Sequence, residues 1–174
     1  MIDRWRRARD LQLQPISEED FRELAASDPE AVIIGDLEDA DSFWRGQSAG
    51  STDCPVLLAH EDYHLDPALH RLGVDTAIAG VDEHLHLIER SRLATTVQLP
   101  CRFYEVVYWG NERFIVENEI GFTCFSYRIE ELWEWSGDLI NSSTIDDSYL
   151  TFETFEGERH RLRIEDGKEG QETQ

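Results

Sequence analysis

Two runs rich in Val, Ile, Phe and Tyr, Arg102–Trp109 and Glu112–Glu117, flank the dipeptide Gly110-Asn111. Gly and Asn accept positive φ at little steric cost, so a two-residue connection of that type closes an antiparallel hairpin. A chain containing this hairpin is not an all-helical bundle. Ile120–Tyr127 supplies a further strand, and Ser148–Phe155, Glu156-Gly157 and Glu158–Ile164 read as a closing hairpin. The sequence therefore predicts antiparallel hairpins over 102–117 and 148–164.

Helical patterns fall between and before these runs. Ser17 opens a helix with Asp20 in the capping-box position, Phe21, Leu24 and Ala25 form its apolar face, and Asp28-Pro29 ends it. Val81, Leu85 and Ile88 recur at helical spacing and predict a helix over about 81–92. Ile129, Leu132 and Trp133 predict another over about 128–136. Residues 1–14 carry Arg4, Arg6, Arg7 and Arg9 around Trp5 and Leu11, the pattern of a short basic helical arm. Ala31–Ile34 and Ser42–Arg45 read as short strands. Cys54–Leu65 reads either as a strand running into a turn or as a helix begun by Pro55. Strands in runs with helices between them predict an α+β fold with an antiparallel sheet. The 174 residues, 40% hydrophobic, suit a single domain over 1–164 with a frayed polar tail at 165–174.

Charge limits the partners. With 37 acidic against 16 basic residues the chain carries −21. Phosphate backbones and anionic membrane surfaces are repelled by that sign. A basic protein is attracted, and its encounter is accelerated. Four carboxylates, Asp36, Glu38, Asp39 and Asp41, crowd one predicted turn. No apolar run is long enough to span a bilayer, and no apolar stretch follows the first seven residues as in a signal peptide. Cys54, Cys101 and Cys124 are an odd number with no close pair, which suits a reducing cytoplasm rather than a disulfide framework.

One segment carries the spacing of a metal site. His60-Glu61-Asp62-Tyr63-His64 fits H-E-x-x-H, which on a helix sets two histidines one turn apart to hold zinc, with Glu61 as general base. His70 falls where metzincin peptidases place a third histidine, and Glu83 or Glu89 could supply a carboxylate ligand instead. Pro67 stands where metzincins need glycine for a sharp turn, and the only methionine is Met1, so the methionine turn is missing. The zinc hydrolase is therefore the second reading. His84 and His86, two apart, would point to different sides of a helix and could not chelate together.

Ile78-Ala79-Gly80-Val81-Asp82-Glu83-His84-Leu85 resembles the "I-A-x-apolar-E-E-x-L" helix entry of the SUKH superfamily of bacterial immunity and interaction domains. Residues 31–90 carry the likeness. Gly80 replaces the family's usual serine, and His84 its usual aromatic. The resemblance implies a non-catalytic cytosolic protein without a cofactor, one that binds and blocks a cognate toxin such as a nuclease. The contacts to a basic partner would then come from Asp36, Glu38, Asp39, Asp41, Glu61 and Asp62, with Trp44 as an aromatic anchor.

Overall fold

The structure is a computed structural model that describes residues 11–47, 54–61, 66–110, 112–146 and 148–170. Among them run fifteen strands and one helix, so the expected α+β architecture is corrected to an almost wholly β one. The chain divides into two compact units, one ending at Phe103 and one beginning at Tyr104.

The first unit holds β1 (Gln14–Ile16), α1 (Glu18–Ser27), β2 (Val32–Ile34), β3 (Ser42–Gln47), β4 (Pro55–His60), β5 (Ala68–Arg71), β6 (Thr76–Val81), β7 (His84–Glu89) and β8 (Arg92–Gln98). One sheet has the order β1-β3-β4-β2, with β2 parallel to β4; the other is the antiparallel meander β5-β6-β7-β8. The Ser17-opened helix forms as α1: the Ser17 hydroxyl accepts from the Asp20 N–H at 3.1 Å, and the chain leaves the helix at Asp28. Residues 1–10, most of the expected basic arm, lie outside the described residues, and Gln14–Ile16 is strand.

β4 explains the two-way reading of its segment. Every residue of it is buried. Val56 and Leu58 join a core with Val32, Ile34, Leu69, Ala79 and Ile88, drawn from both sheets. Leu57 and Ala59 pack the opposite way, with Phe43 and with Phe21 of α1. A strand buried on both sides loses the polar alternation that would identify it. Phe21 is fully buried, so its truncation to Ala costs on the order of 3–5 kcal/mol.

The helix expected over 81–92 is instead the β6–β7 hairpin and the start of β8. Leu85 and Leu87 face one side of β7, His86 and Ile88 the other, and all four are buried. Val81, Leu85 and Ile88 therefore match a helical period by coincidence. Asp82 holds φ of 52° in the turn, and Arg90 and Ser91 hold 49° and 60° in the next one. A right-handed helix has no place for these conformations. The segment behind the SUKH resemblance is thus a hairpin rather than a helix entry.

The second unit contains β9 (Phe103–Gly110) from Tyr104 onward, β10 (Arg113–Asn118), β11 (Gly121–Ser126), β12 (Glu131–Ser136), β13 (Ile140–Ile145), β14 (Tyr149–Thr154) and β15 (Arg159–Arg163). They form the meanders β9-β10-β11-β12 and β13-β14-β15, joined by a core that includes Val107, Ile115, Phe122, Trp133, Phe152 and Leu162. β9 and β10 connect through residues 111 and 112; Asn111 lies outside the described residues, and Glu112 carries φ of 60°. The helix expected over 128–136 is corrected to a turn and β12. Ile129 there has φ of 53°, a left-handed conformation incompatible with the helix interior. Trp133 and Trp135 then alternate as strand residues do.

Sheet edges are handled explicitly. β8, β12 and β13 each end a sheet, and each carries an unpaired extra residue, Ala94, Leu132 and Asn141. Such bulges disrupt the ladder and deter strand addition from other chains. β15 is covered from within: Glu169 bridges Leu162, and the Gly170 N–H donates to the Arg161 carbonyl at 2.7 Å. The stretch expected to fray is therefore paired as far as Gly170. No helix among the described residues is long and apolar enough to cross a membrane.

Candidate functional site

The acidic turn and the His60-Glu61 motif meet at the C-terminal end of β4. Gly35, at φ of 96°, lies so close to β4 that a Cβ on it would sit 1.9 Å from the Ala59 carbonyl oxygen. Only glycine combines that backbone angle with that approach. At the other side of the turn the Asp41 N–H donates to the His60 carbonyl at 3.0 Å. The loop from Asp36 to Asp41 thus begins and ends on the last two residues of β4. Inside it, Asp36 Oδ1 accepts from the Glu38 N–H at 2.9 Å, an Asx turn that fixes the first half.

Asp36, Glu38, Asp39, Asp41 and Glu61 are all exposed, and none forms an ion pair among the described residues. Their charges are uncompensated and point into water, which suits long-range attraction of a cation more than tight chelation. Asp62 and His64 lie outside the described residues. Trp44 is half-buried against the core, and its Nε1–H donates to the Ser42 hydroxyl at 3.2 Å. It braces the start of β3 and keeps part of its surface in solvent.

Beneath this rim is a buried imidazole. His60 is 3% exposed, and its Nδ1 lies 2.7 Å from Asp82 Oδ1. Asp82 is presented by its left-handed turn and braced by its own carbonyl, which accepts from the Phe103 N–H at 2.8 Å. Its other oxygen receives the Glu61 N–H at 3.5 Å. A tight crevice with no room for a water molecule is lined here by His60, Asp66, Pro67, Asp82, Arg102 and Phe103. Gly80 completes it, because a Cβ there would meet the Phe103 ring at 2.6 Å. The Asp82 carboxylate thus lies beside a buried imidazole at the end of β4. The Ser42 hydroxyl donates to the His60 carbonyl and not to the ring.

The helical premise of the zinc reading is corrected at His60, which closes a strand. His70 lies on β5, Glu83 in the β6–β7 turn and Glu89 at the end of β7. Among the described residues no group of three or more His, Cys, Asp or Glu side chains is arranged to hold a metal ion. His84 and His86 share one side of β7, with ring centroids 5.9 Å apart, because alternate strand residues point the same way. Burial pushes the His86 pKa down to about 4; His84 adds to the shift and Asp82 opposes it. His86 Nδ1 sits 3.0 Å from the Thr96 hydroxyl. Burial also raises the thiol pKa of Cys54, and that of Cys124 to about 12, so both stay protonated and poorly nucleophilic near neutral pH.

The pinning of the turn by Gly35 was the feature missed in the sequence. A lone glycine after an apolar run reads as a simple strand stop, and nothing local shows that Ala59 lies against it.

No family model matches this chain, and no curated protein matches it. Solved structures do. The computationally designed Ika8 protein aligns with a TM-score of 0.48 at 10% identity, over 79% of this chain and 47% of that one. The WD40 β-propeller domain of Doa1 aligns with a TM-score of 0.41 at 10% identity, over 94% of this chain and 71% of that one. BamB from Moraxella catarrhalis aligns with a TM-score of 0.41 at 8% identity, over 80% of this chain and 62% of that one. The chain spans about half the length of the designed protein.

Proposed function

We propose that this protein is a non-catalytic binding protein that takes a basic protein partner at the acidic end of β4. The observation behind this is the pinned turn: Gly35 against Ala59, and Asp41 bonded to His60, hold Asp36, Glu38, Asp39 and Asp41 beside Glu61. A rigid loop presents its charges without the ordering cost that a floppy one incurs on binding. The chain's net charge of −21 extends the same attraction to long range.

Within that reading the partner is a nuclease toxin, whose groove for phosphates is basic, and this chain acts as its cytoplasmic inhibitor or immunity protein. The buried thiols of Cys54 and Cys124, neither in a disulfide, accord with a reducing compartment. The SUKH resemblance lends this no support, since its segment forms a hairpin; the proposal stands on the acidic end.

Stopped-flow association with basic nuclease domains, at low and high salt, tests it. Neutralising Asp36, Glu38, Asp39 and Asp41 together to Asn or Gln should slow association by about tenfold or more, with a smaller change in dissociation. High salt should reduce the wild-type on-rate toward that of the variant, because exposed charges are screened beyond about 8 Å at physiological ionic strength. An on-rate indifferent to both salt and mutation would reduce the acidity to a solubility device.

A further inference from the structure

The opposite end of β4 has a different character. A cleft of about 440 Å³ opens there between residues 29–33 and residues 90–93. That volume is within the range of small-ligand and peptide sites. Ala31, Ile33 and Leu93 line it, and Ile33 and Leu93 are 41% and 46% exposed. Apolar side chains this open are not being used by the core.

Its charge is the reverse of the rest of the chain. Within the cleft Arg90 and Arg92 face one carboxylate, Glu30, and on their other side they border a groove with Asp75 and Glu89, although the chain as a whole has 37 acidic and 16 basic residues. Neither guanidinium makes an ion pair or side-chain hydrogen bond among the described residues. The turn that carries them is fixed: Arg90 and Ser91 both hold left-handed backbone, and the Arg90 N–H donates to the Asp75 carbonyl at 2.8 Å. Two planar forks with free donors on a set turn suit a carboxylate, which accepts two N–H bonds from one guanidinium.

Backbone supplies the third element. β2 ends its sheet and pairs only with β4, so its outer edge is open among the described residues. Its residues Val32, Ile33 and Ile34 carry no charge, proline or bulge to deter pairing. β8, across the cleft, is bulged at Ala94 and is the poorer template.

We propose that this cleft binds an extended peptide that adds as a strand to β2, seats an apolar side chain between Ile33 and Leu93, and presents its C-terminal carboxylate to Arg90 and Arg92. Main-chain bonds to the β2 edge select a peptide, the apolar walls select a β-branched or aliphatic residue, and the arginines select a free acid over an amide.

Fluorescence anisotropy of labelled hexapeptides alternating Val and Thr decides this, using the full chain. The free-acid peptide should bind, and its C-terminal amide should bind about tenfold more weakly or worse. The Arg90→Gln/Arg92→Gln variant should weaken the free acid to the level of the amide. Leu93→Glu should weaken both peptides. All three residues are exposed, so the thermal midpoints of these variants should match the wild type, which separates lost binding from lost folding. Equal binding of acid and amide would overturn the proposal, as would retained selectivity in the double arginine variant. Decanoate binding as tightly as the peptide would assign the cleft to an aliphatic carboxylate instead. Dimerisation of the free chain that Leu93→Glu abolishes, measured by sedimentation, would assign it to a second copy.

Discussion

At the C-terminal end of β4, carboxylates collect on a loop closed by Gly35 and Asp41; at the N-terminal end, Arg90 and Arg92 collect on a hairpin turn beside Ile33 and Leu93. Both ends use left-handed backbone to hold charged residues in place, at Gly35 and Asp82 on one side and at Arg90 and Ser91 on the other. They differ in what surrounds the charge. The acidic end is wet on the outside and backed by the buried His60 imidazole beside Asp82. The arginine end is a concave, partly apolar cleft. A convex array of like charges acts at a distance, whereas a cleft with free donors acts at contact. Under the two proposals, one strand buried on all its residues would separate a steering surface from a recognition surface.

The comparison breaks first at Gly35. Gly35→Ala should cost more than about 3 kcal/mol in urea denaturation, since a Cβ at that φ meets the Ala59 carbonyl. A loss under about 1 kcal/mol would show that the acidic loop is not pinned to β4.

Next comes pH. The His86 pKa lies at about 4, below the ordinary 6.5, because burial disfavours the cation. Between those values the unfolded chain binds more protons than the folded one. The contribution of neutral His86 is therefore fully present above about pH 6.5 and is lost as pH falls toward 4, up to roughly 3 kcal/mol in the limit. Denaturation midpoints of wild type and His86→Gln at pH 7, 5.5 and 4 check this, and the variant should show the shallower decline. Parallel profiles would place the titration elsewhere.

Asp82 sharpens the acidic side. Asp82→Asn keeps a residue that tolerates φ of 52° while removing the charge beside His60, and should cost about 1–2 kcal/mol. Asp82→Ala should cost more, through added backbone strain. Equal losses, read by thermal or urea unfolding, would mean that the carboxylate acts only as a turn former.

The smallest effect belongs to the exposed acids. Neutralising Asp36, Glu38, Asp39 and Asp41 together should leave stability within about 1 kcal/mol, and relief of repulsion should make any change favourable. Asn at position 36 retains the oxygen that accepts from the Glu38 N–H. A large loss would show that these carboxylates are structural and would remove them from the proposed interface.

Much of the second unit was legible from local pattern. The strands around residues 110–112 follow from Val, Ile, Phe and Tyr runs broken by turn residues, and the hairpin β14–β15 from the Tyr149–Phe152 run and the Glu156-Gly157 turn. The Ser17 cap and the Asp28-Pro29 stop bracket α1. The acidic end was legible as separate pieces, the crowded turn and the His60-Glu61 motif, but their meeting was not. Trp44, which the sequence offers as an anchor, is half-buried against the core and bonded to Ser42, a placement that no local pattern shows.

The amino-acid sequence by itself determined the charge, the capped helix and the strands whose alternation or turn chemistry is local, because those signals act between near neighbours. Tertiary structure decided the rest. β7 is a strand because it pairs with β6 and β8 and is buried on both sides, Ile88 against the facing sheet, and that burial overrides an apolar spacing that a helix would satisfy equally well. The two ends of β4 likewise exist only once distant segments pack: Gly35 finds Ala59, Asp82 finds His60, and residues 29–33 find Arg90 and Arg92. No pattern within a short window encodes such meetings, since they depend on which buried faces fit together.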